Sequence, residues 1–202
     1  SRLKQEYEKR NNWEGVAGAL QVAASAADGA DKIFVLEELA VLAAKRLNDA
    51  PMAAGVYEQV VATDGEHRGA IEYLAEYYLD VEDKEKAVEY LDRRSAFVED
   101  GADLDDFDVR MDMSTFRFRH GELLAETGHA EKAIAALERA LELNNSHAPS
   151  LRLIGPIYTS VENWKAAEKV YRQLLQLTGG FGDKQEIAQI YAQLGGVEFE
   201  LG

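Results

Sequence analysis

The feature that most constrains this chain is an internal repeat of 34 residues. Gly121 recurs as Gly155, and Ala133 recurs as Ala167, each 34 positions later. A period of this length in a helix-compatible sequence predicts a stack of helical hairpins. Such an array offers a long surface instead of one enclosed core, so the repeat favours a binding function over a catalytic pocket.

The second helix of each predicted hairpin carries four residues with spacings of 3, 4 and 3, which place them on one helix face. The second member is small and lets the helices of a hairpin approach closely, and the third is bulky. The five sets are Trp13, Val16, Leu20 and Ala23; Ala50, Ala53, Tyr57 and Val60; Lys84, Ala87, Leu91 and Arg94; Ala130, Ala133, Leu137 and Ala140; and Trp164, Ala167, Tyr171 and Leu174.

Capping residues stand directly before these second helices. Four of the five are Asn or Asp, whose side chains bond the free amides of a first helical turn. The five positions are Asn12, Asp49, Asp83, His129 and Asn163. The first helices are then predicted over 3–10, 31–47, 66–79, 109–127 and 148–160, with one more helix over 184–201.

These columns resemble the tetratricopeptide repeat, which has a small residue at its eighth position, an aromatic at its eleventh, alanine at its twentieth and a large residue at its twenty-fourth. Gly155, Tyr158, Ala167 and Tyr171 match those positions. The resemblance implies an all-α, right-handed superhelical solenoid of antiparallel helix hairpins, with about eleven helices. Val41 departs from the pattern, because a glycine or alanine is expected there.

The resemblance also implies one array over the whole chain. Its approximate units are 1–30, 31–67, 68–108, 109–147, 148–181 and a partial unit, 182–202. Because the last unit lacks a partner helix, we expect the chain to be part of a longer protein or residues 184–201 to be buried against another molecule; the alternative is a natural capping helix. Self-association through residues 184–201 is one form of that burial.

Charge limits the class of partner. The net charge is −15, with 37 acidic and 22 basic residues. A negative field opposes binding to nucleic acid, whose affinity comes largely from Lys and Arg contacts to phosphate, and it opposes anionic membranes in the same way. A basic protein or peptide is better matched. No apolar run has the length of a membrane span, and a cytoplasmic location is expected, with the periplasm left open.

In proteins with this repeat, the first helices line a concave groove that contacts ligands. Transferring the family's contact positions gives a predicted partner-binding surface with five carboxylates at its centre, which favours a Lys- or Arg-bearing ligand. Its residues are Glu38, Leu42, Glu72, Glu76, Asp80, Phe118, Glu122, Glu126 and Arg152, with Lys45, Arg46, Leu79 and Thr159 beside them. The alternative is an ordinary solvated helix face.

Other kinds of chemistry find little support in the sequence. The aspartate-rich segment 103–108 lacks the pattern of a helix-loop-helix calcium site, so its acids are better read as the start of the fourth first helix, where they favour the positive dipole end. The chain shows no metal-ligand spacing, nucleophile motif or phosphate loop. We therefore expect a non-enzymatic scaffold without metal or cofactor; the alternatives are a self-association module and a regulatory part of a larger enzyme or sensor.

Overall fold

The computed structural model describes residues 2–179 and 183–202, and within those residues every regular element is helical. The residues group into two compact units, 1–97 and 98–202. In each unit, every helix packs against the next one along the chain. The predicted boundary between residues 181 and 182 lies outside the described residues, and the single array over the whole chain stays a prediction.

The first unit contains six α-helices and one short π-helical segment. They are α1 (Arg2–Lys9), α2 (Trp13–Ser25), α3 (Gly29–Leu42), the π segment (Ala43–Leu47), α4 (Ala50–Thr63), α5 (Arg68–Asp80) and α6 (Lys84–Ser95). The π segment continues α3, so these two together form the predicted first helix over 31–47.

Residues 98–179 and 183–202, the described part of the second unit, contain five α-helices. They are α7 (Phe107–Glu126), α8 (Ala130–Leu143), α9 (Ala148–Ser160), α10 (Trp164–Thr178) and α11 (Lys184–Leu201). Asp106 caps α7 by accepting hydrogen bonds from the amides of Asp108 and Val109, which confirms that the aspartate-rich segment begins this helix. Its start lies two residues before the predicted one. The helix α9 continues for four residues beyond Pro156.

The turn inside each hairpin is built in the same way five times. The residue before the cap has a positive φ, and the cap follows it. Those residues are Asn11, Asn48, Glu82, Gly128 and Glu162. The Asn12, Asp49, Asp83 and Asn163 side chains then accept from an amide three residues on, while the His129 side chain does not cap. All five predicted second-helix starts are confirmed.

The predicted helix faces form the core. In every second helix the small second member of the set is at most 2 % exposed, as at Ala53, Ala133 and Ala167. The bulky third member packs against the first helix of its own hairpin: a Cβ added at Gly155 would lie 2.7 Å from the Tyr171 ring. Close packing between the two helices of a hairpin therefore depends on the glycine.

The π segment explains why Val41 departs from the repeat. In four hairpins the cap amide bonds a carbonyl five residues back, as Asp83 does to Tyr78, whereas Asp49 bonds Ala43, six residues back. One extra residue is accommodated here, as is typical of a π turn. The small position of α3 is therefore Ala40, which is fully buried, while Val41 is 43 % exposed.

Candidate functional site

The second unit contains an open groove between α9 and α11, with α10 beneath it. Two cavities, of about 490 and about 260 Å³, adjoin at Gln189 and Gln193, which line both; together they are here called the α9–α11 groove. Its lining residues are Arg152, Pro156, Thr159, Trp164, Tyr171, Leu174, Glu186, Gln189, Ile190, Ala192, Gln193, Gly196, Val197 and Glu200.

Hydrogen bonds fix the polar side chains of this groove. The Tyr171 hydroxyl donates to Oε1 of Gln193 at 2.7 Å. Burial raises the pKa of Tyr171, so the phenol keeps its proton. Because Oε1 of Gln193 accepts from Tyr171, the NH₂ group of the same amide remains as the donor side of Gln193.

The charged groups of the groove are partly compensated. The Arg152 guanidinium donates to Oε1 of Glu186 at 2.6 Å, joining α9 to α11. Glu200 lines the other end of the groove without an ion pair among the described residues. The groove therefore has a neutral ion pair at one end and a carboxylate at the other.

The predicted residues of the second unit lie on α7 and α9. Arg152 and Thr159 line the groove. Phe118 is partly buried against the core, with its ring centroid 5.1 Å from that of His147. Glu122 and Glu126 are exposed on α7. Burial lowers the pKa of His147, so this ring is neutral at pH 7 and adds no cation beside Phe118.

In the first unit, three predicted carboxylates follow one another at intervals of four residues along α5. Glu72, Glu76 and Asp80 are all exposed. Glu76 accepts from the Arg94 guanidinium at 2.5 Å. This ion pair accounts for an arginine in an otherwise apolar column, and it removes part of the negative charge that the sequence predicts for this face.

The other two predicted residues of the first unit line a separate cavity of about 430 Å³ beside Trp13, Lys45 and Arg46. Glu38 accepts a hydrogen bond from Lys4. Leu42 is only 9 % exposed and packs in the core. The reason is the register change at the π segment, which turns Val41 outward in place of Leu42.

The nine predicted residues thus lie in separate groups within each unit, and a single groove through all of them stays a prediction. The sequence-based surface missed the contribution of α11 altogether. A signal for it was present: aligning Gly195 with Gly155 gives α11 the same repeat positions, and these place Gln189, Ala192, Gly196 and Glu200 on the ligand-contacting side.

Comparison with known proteins supports the fold. Tetratricopeptide-repeat models match residues 115–147 and 150–185. A search of curated proteins found no match. Among solved structures, MamA AMB-1 is 20 % identical, with a TM-score of 0.51, and the match covers 91 % of this chain and 92 % of that one. MamA 41-end from Desulfovibrio magneticus RS-1 is 16 % identical, with a TM-score of 0.45 and coverage of 90 % and 94 %.

The family assignment rests on the repeat matches together with the hairpin geometry. The two matched segments include most of α7 and α9 and all of α8 and α10. The same capped turn recurs in the hairpins of the first unit. Residues 115–147 and 150–185 are therefore tetratricopeptide repeats.

Proposed function

We propose that this chain is a scaffold that binds an extended, Lys- or Arg-bearing segment of a partner protein in the α9–α11 groove and on the neighbouring face of α7. Tetratricopeptide repeats support protein–protein interaction and are in general non-catalytic. The observation that carries the proposal is the pair of adjoining cavities that share Gln189 and Gln193.

The lining of the groove suits an extended peptide. Side-chain amides such as Gln189 and Gln193 both donate and accept hydrogen bonds, which matches the alternating N–H and C=O groups of a peptide backbone. Pro156 and Trp164 provide apolar surface for one of its side chains. A mostly apolar depression with a few placed polar groups is the usual form of a binding site.

The charges favour a basic segment. Glu122 and Glu126 lie in the last two turns of α7, and Glu200 lies in the last turn of α11. Helix C-termini are themselves the negative ends of the helix dipoles, so the carboxylates and the dipoles act together. Among the described residues, Arg152 is the only arginine that lines the groove. It is paired with Glu186, so it repels a cationic ligand only weakly.

The first test uses two adjacent glycines on different faces of α11. Gly196 lines the groove, and Gly195 does not. We expect Gly196→Tyr to abolish binding of labelled Lys/Arg-rich peptides in fluorescence anisotropy, because the ring fills the depression. Gly195→Tyr is the matched control and should leave the affinity unchanged. Equal binding by both variants would place the peptide site outside the groove.

The second test concerns charge. We expect the double variant Glu122→Lys and Glu126→Lys to weaken the binding of basic peptides by at least about tenfold, since like charges at an interface cost several kcal/mol. The double variant Asp105→Lys and Asp112→Lys changes the net charge equally at exposed positions outside the predicted surface. Equal losses in both variants would mean that only the overall charge matters.

A second candidate function is self-association through residues 184–201. Two large apolar side chains of α11 favour it, because Tyr191 is 61 % and Phe199 is 83 % exposed. Exposed aromatic residues that lie together on one face are typical of interaction surfaces. Sedimentation of the chain over a range of concentrations tests this candidate, and a strict monomer would reject it.

A further inference from the structure

In three hairpins, a large side chain of one helix packs over a glycine of the antiparallel helix. A Cβ added at Gly121 would lie 2.7 Å from Leu137, and one added at Gly155 would lie 2.7 Å from Tyr171. In the first hairpin, a Cβ at Gly15 would lie 2.7 Å from Tyr7. In these three hairpins a large residue over a glycine packs two antiparallel helices.

Gly195 is the same repeat position on α11, and it is open. An added Cβ there would meet no atom within 4 Å. The difference extends to the residue one turn earlier: Leu151, four residues before Gly155, is fully buried, whereas Tyr191, four residues before Gly195, is 61 % exposed. The helix face that is covered on α9 is uncovered on α11.

We propose that this face of α11 binds the same face of α11 in a second copy of the chain, antiparallel, with Tyr191 of each copy over Gly195 of the other. This inference rests on the second candidate function, self-association, and it names the contact. It concerns a different face of α11 from the peptide groove.

The sequence of α11 is self-complementary in this arrangement. A two-fold axis at the level of residue 193 places Tyr191 opposite Gly195 of the other copy. The large residue thus meets a glycine, and this contact occurs twice, as a two-fold interface requires. The pairing reproduces between two chains the contact that Tyr171 and Gly155 make within one.

The charges agree with this orientation. In the same register Glu198 lies level with Ala188, and Lys184 lies one helical turn from Glu198 of the other copy. Glu186 lies level with Glu200 of the other copy, but both carboxylates line the groove on another face of α11. Glu198 is also paired with Arg172 at 2.6 Å, which compensates its charge. Antiparallel helices place each positive N-terminus beside a negative C-terminus, which is favourable.

The test exchanges the two residues that are proposed to meet. By sedimentation velocity or light scattering we expect the chain, of 22.4 kDa, to approach twice that mass as its concentration rises. Gly195→Tyr should weaken the dimer at least about tenfold, because two tyrosines then compete for one space. Tyr191→Gly should weaken the dimer by a similar factor, because the space over Gly195 of the other copy is then left empty.

The pairing of a large residue with a glycine across the dimer can then be restored in two ways. The double variant Tyr191→Gly with Gly195→Tyr restores a large residue opposite a glycine, so its dimer should regain most of the lost affinity. An equimolar mixture of the two single variants should form a heterodimer, since one copy carries two tyrosines and the other two glycines on this face. Gly196→Tyr, on the groove side, is the control and should leave the dimer intact.

The outcomes separate the contact from the function. A strictly monomeric chain overturns both this inference and the self-association candidate. A dimer that tolerates Gly195→Tyr, or single variants that neither the double variant nor the mixture rescues, overturns the proposed contact while self-association stands. Circular dichroism of each variant identifies any loss of helix. Peptide binding in the groove is measured separately and is unaffected by either result.

Discussion

At the scale of single residues, the hairpins are held at contacts that leave no room for a methyl group. Gly155 lies under the Tyr171 ring, and Gly121 lies under Leu137. Tyr171 is itself held by the hydrogen bond from its hydroxyl to Gln193. Because the ring is tied on its far side, it cannot easily move away from a substituted Gly155.

We therefore expect Gly155→Ala to destabilise the second unit by about 1–3 kcal/mol, the usual cost of overpacking a core. Gly196→Ala is the control, because no atom lies within 4 Å of an added Cβ there. That change should stabilise the chain by roughly 0.5–1 kcal/mol, the helix-propensity difference between glycine and alanine. Urea unfolding followed by circular dichroism measures both, and a stabilising Gly155→Ala would contradict the packing argument.

At the scale of helices, the π segment of the first unit is the element that the repeat pattern does not contain. It adds one residue between the small position of α3 and the cap of α4, so the bond from the Asp49 amide reaches back to Ala43. The residues on either side keep their core contacts: Ala40 and Ala53 are both fully buried. The extra residue is taken up locally within one turn.

Deleting Lys45 should therefore be tolerated. Lys45 is exposed within the π segment, and its removal leaves the number of residues that the other hairpins have, so Ala40 and Ala53 stay in the core. Deleting Glu72, an exposed residue of the regular helix α5, is the matched control. It rotates one part of α5 by about 100°, the angle per residue of a helix with 3.6 residues per turn, and removes Leu74 or Ile71 from the core. Thermal unfolding should show a small change for the first deletion and a large loss for the second.

At the scale of the whole molecule, each unit has its own core and its own polar anchors. In the second unit one apolar cluster extends from Leu137 to Val197 and includes residues of α8, α9, α10 and α11. The segment before α7 is anchored as well: Glu99 accepts from Arg139 and Arg117, and the bond from Arg139 holds the pKa of Glu99 below its usual range. No described helix is long and apolar enough to cross a membrane.

We expect the fragment 98–202 to fold on its own, because the units of a repeat array depend mainly on their neighbours. It should be helical and should unfold cooperatively in urea. The shorter fragment 98–181 lacks α11 and with it the core residues Ile190, Leu194 and Val197, each at most 6 % exposed. It should therefore be clearly less stable. An unfolded 98–202 fragment would show that the second unit depends on the first.

Much of the fold was predictable because its signals are local. The caps Asn12, Asp83 and Asn163 bond amides only three residues away, so the residue type alone predicted where each second helix begins. The final helix, predicted over 184–201, has those same bounds. The candidate site was predicted less well: Arg152 and Thr159 were placed on the groove, but α11, which provides half of it, was not.

The sequence by itself determined the hairpins of this protein, their caps and the small and large residues that pack them, because each of these depends on neighbours within one or two turns or on the 34-residue period. Only the tertiary structure decided that Leu42 is buried and Val41 exposed, that Arg94 neutralises Glu76, and that α9 and α11 enclose a groove. These depend on which side chains from distant parts of the chain meet, and no pattern within one helix specifies that.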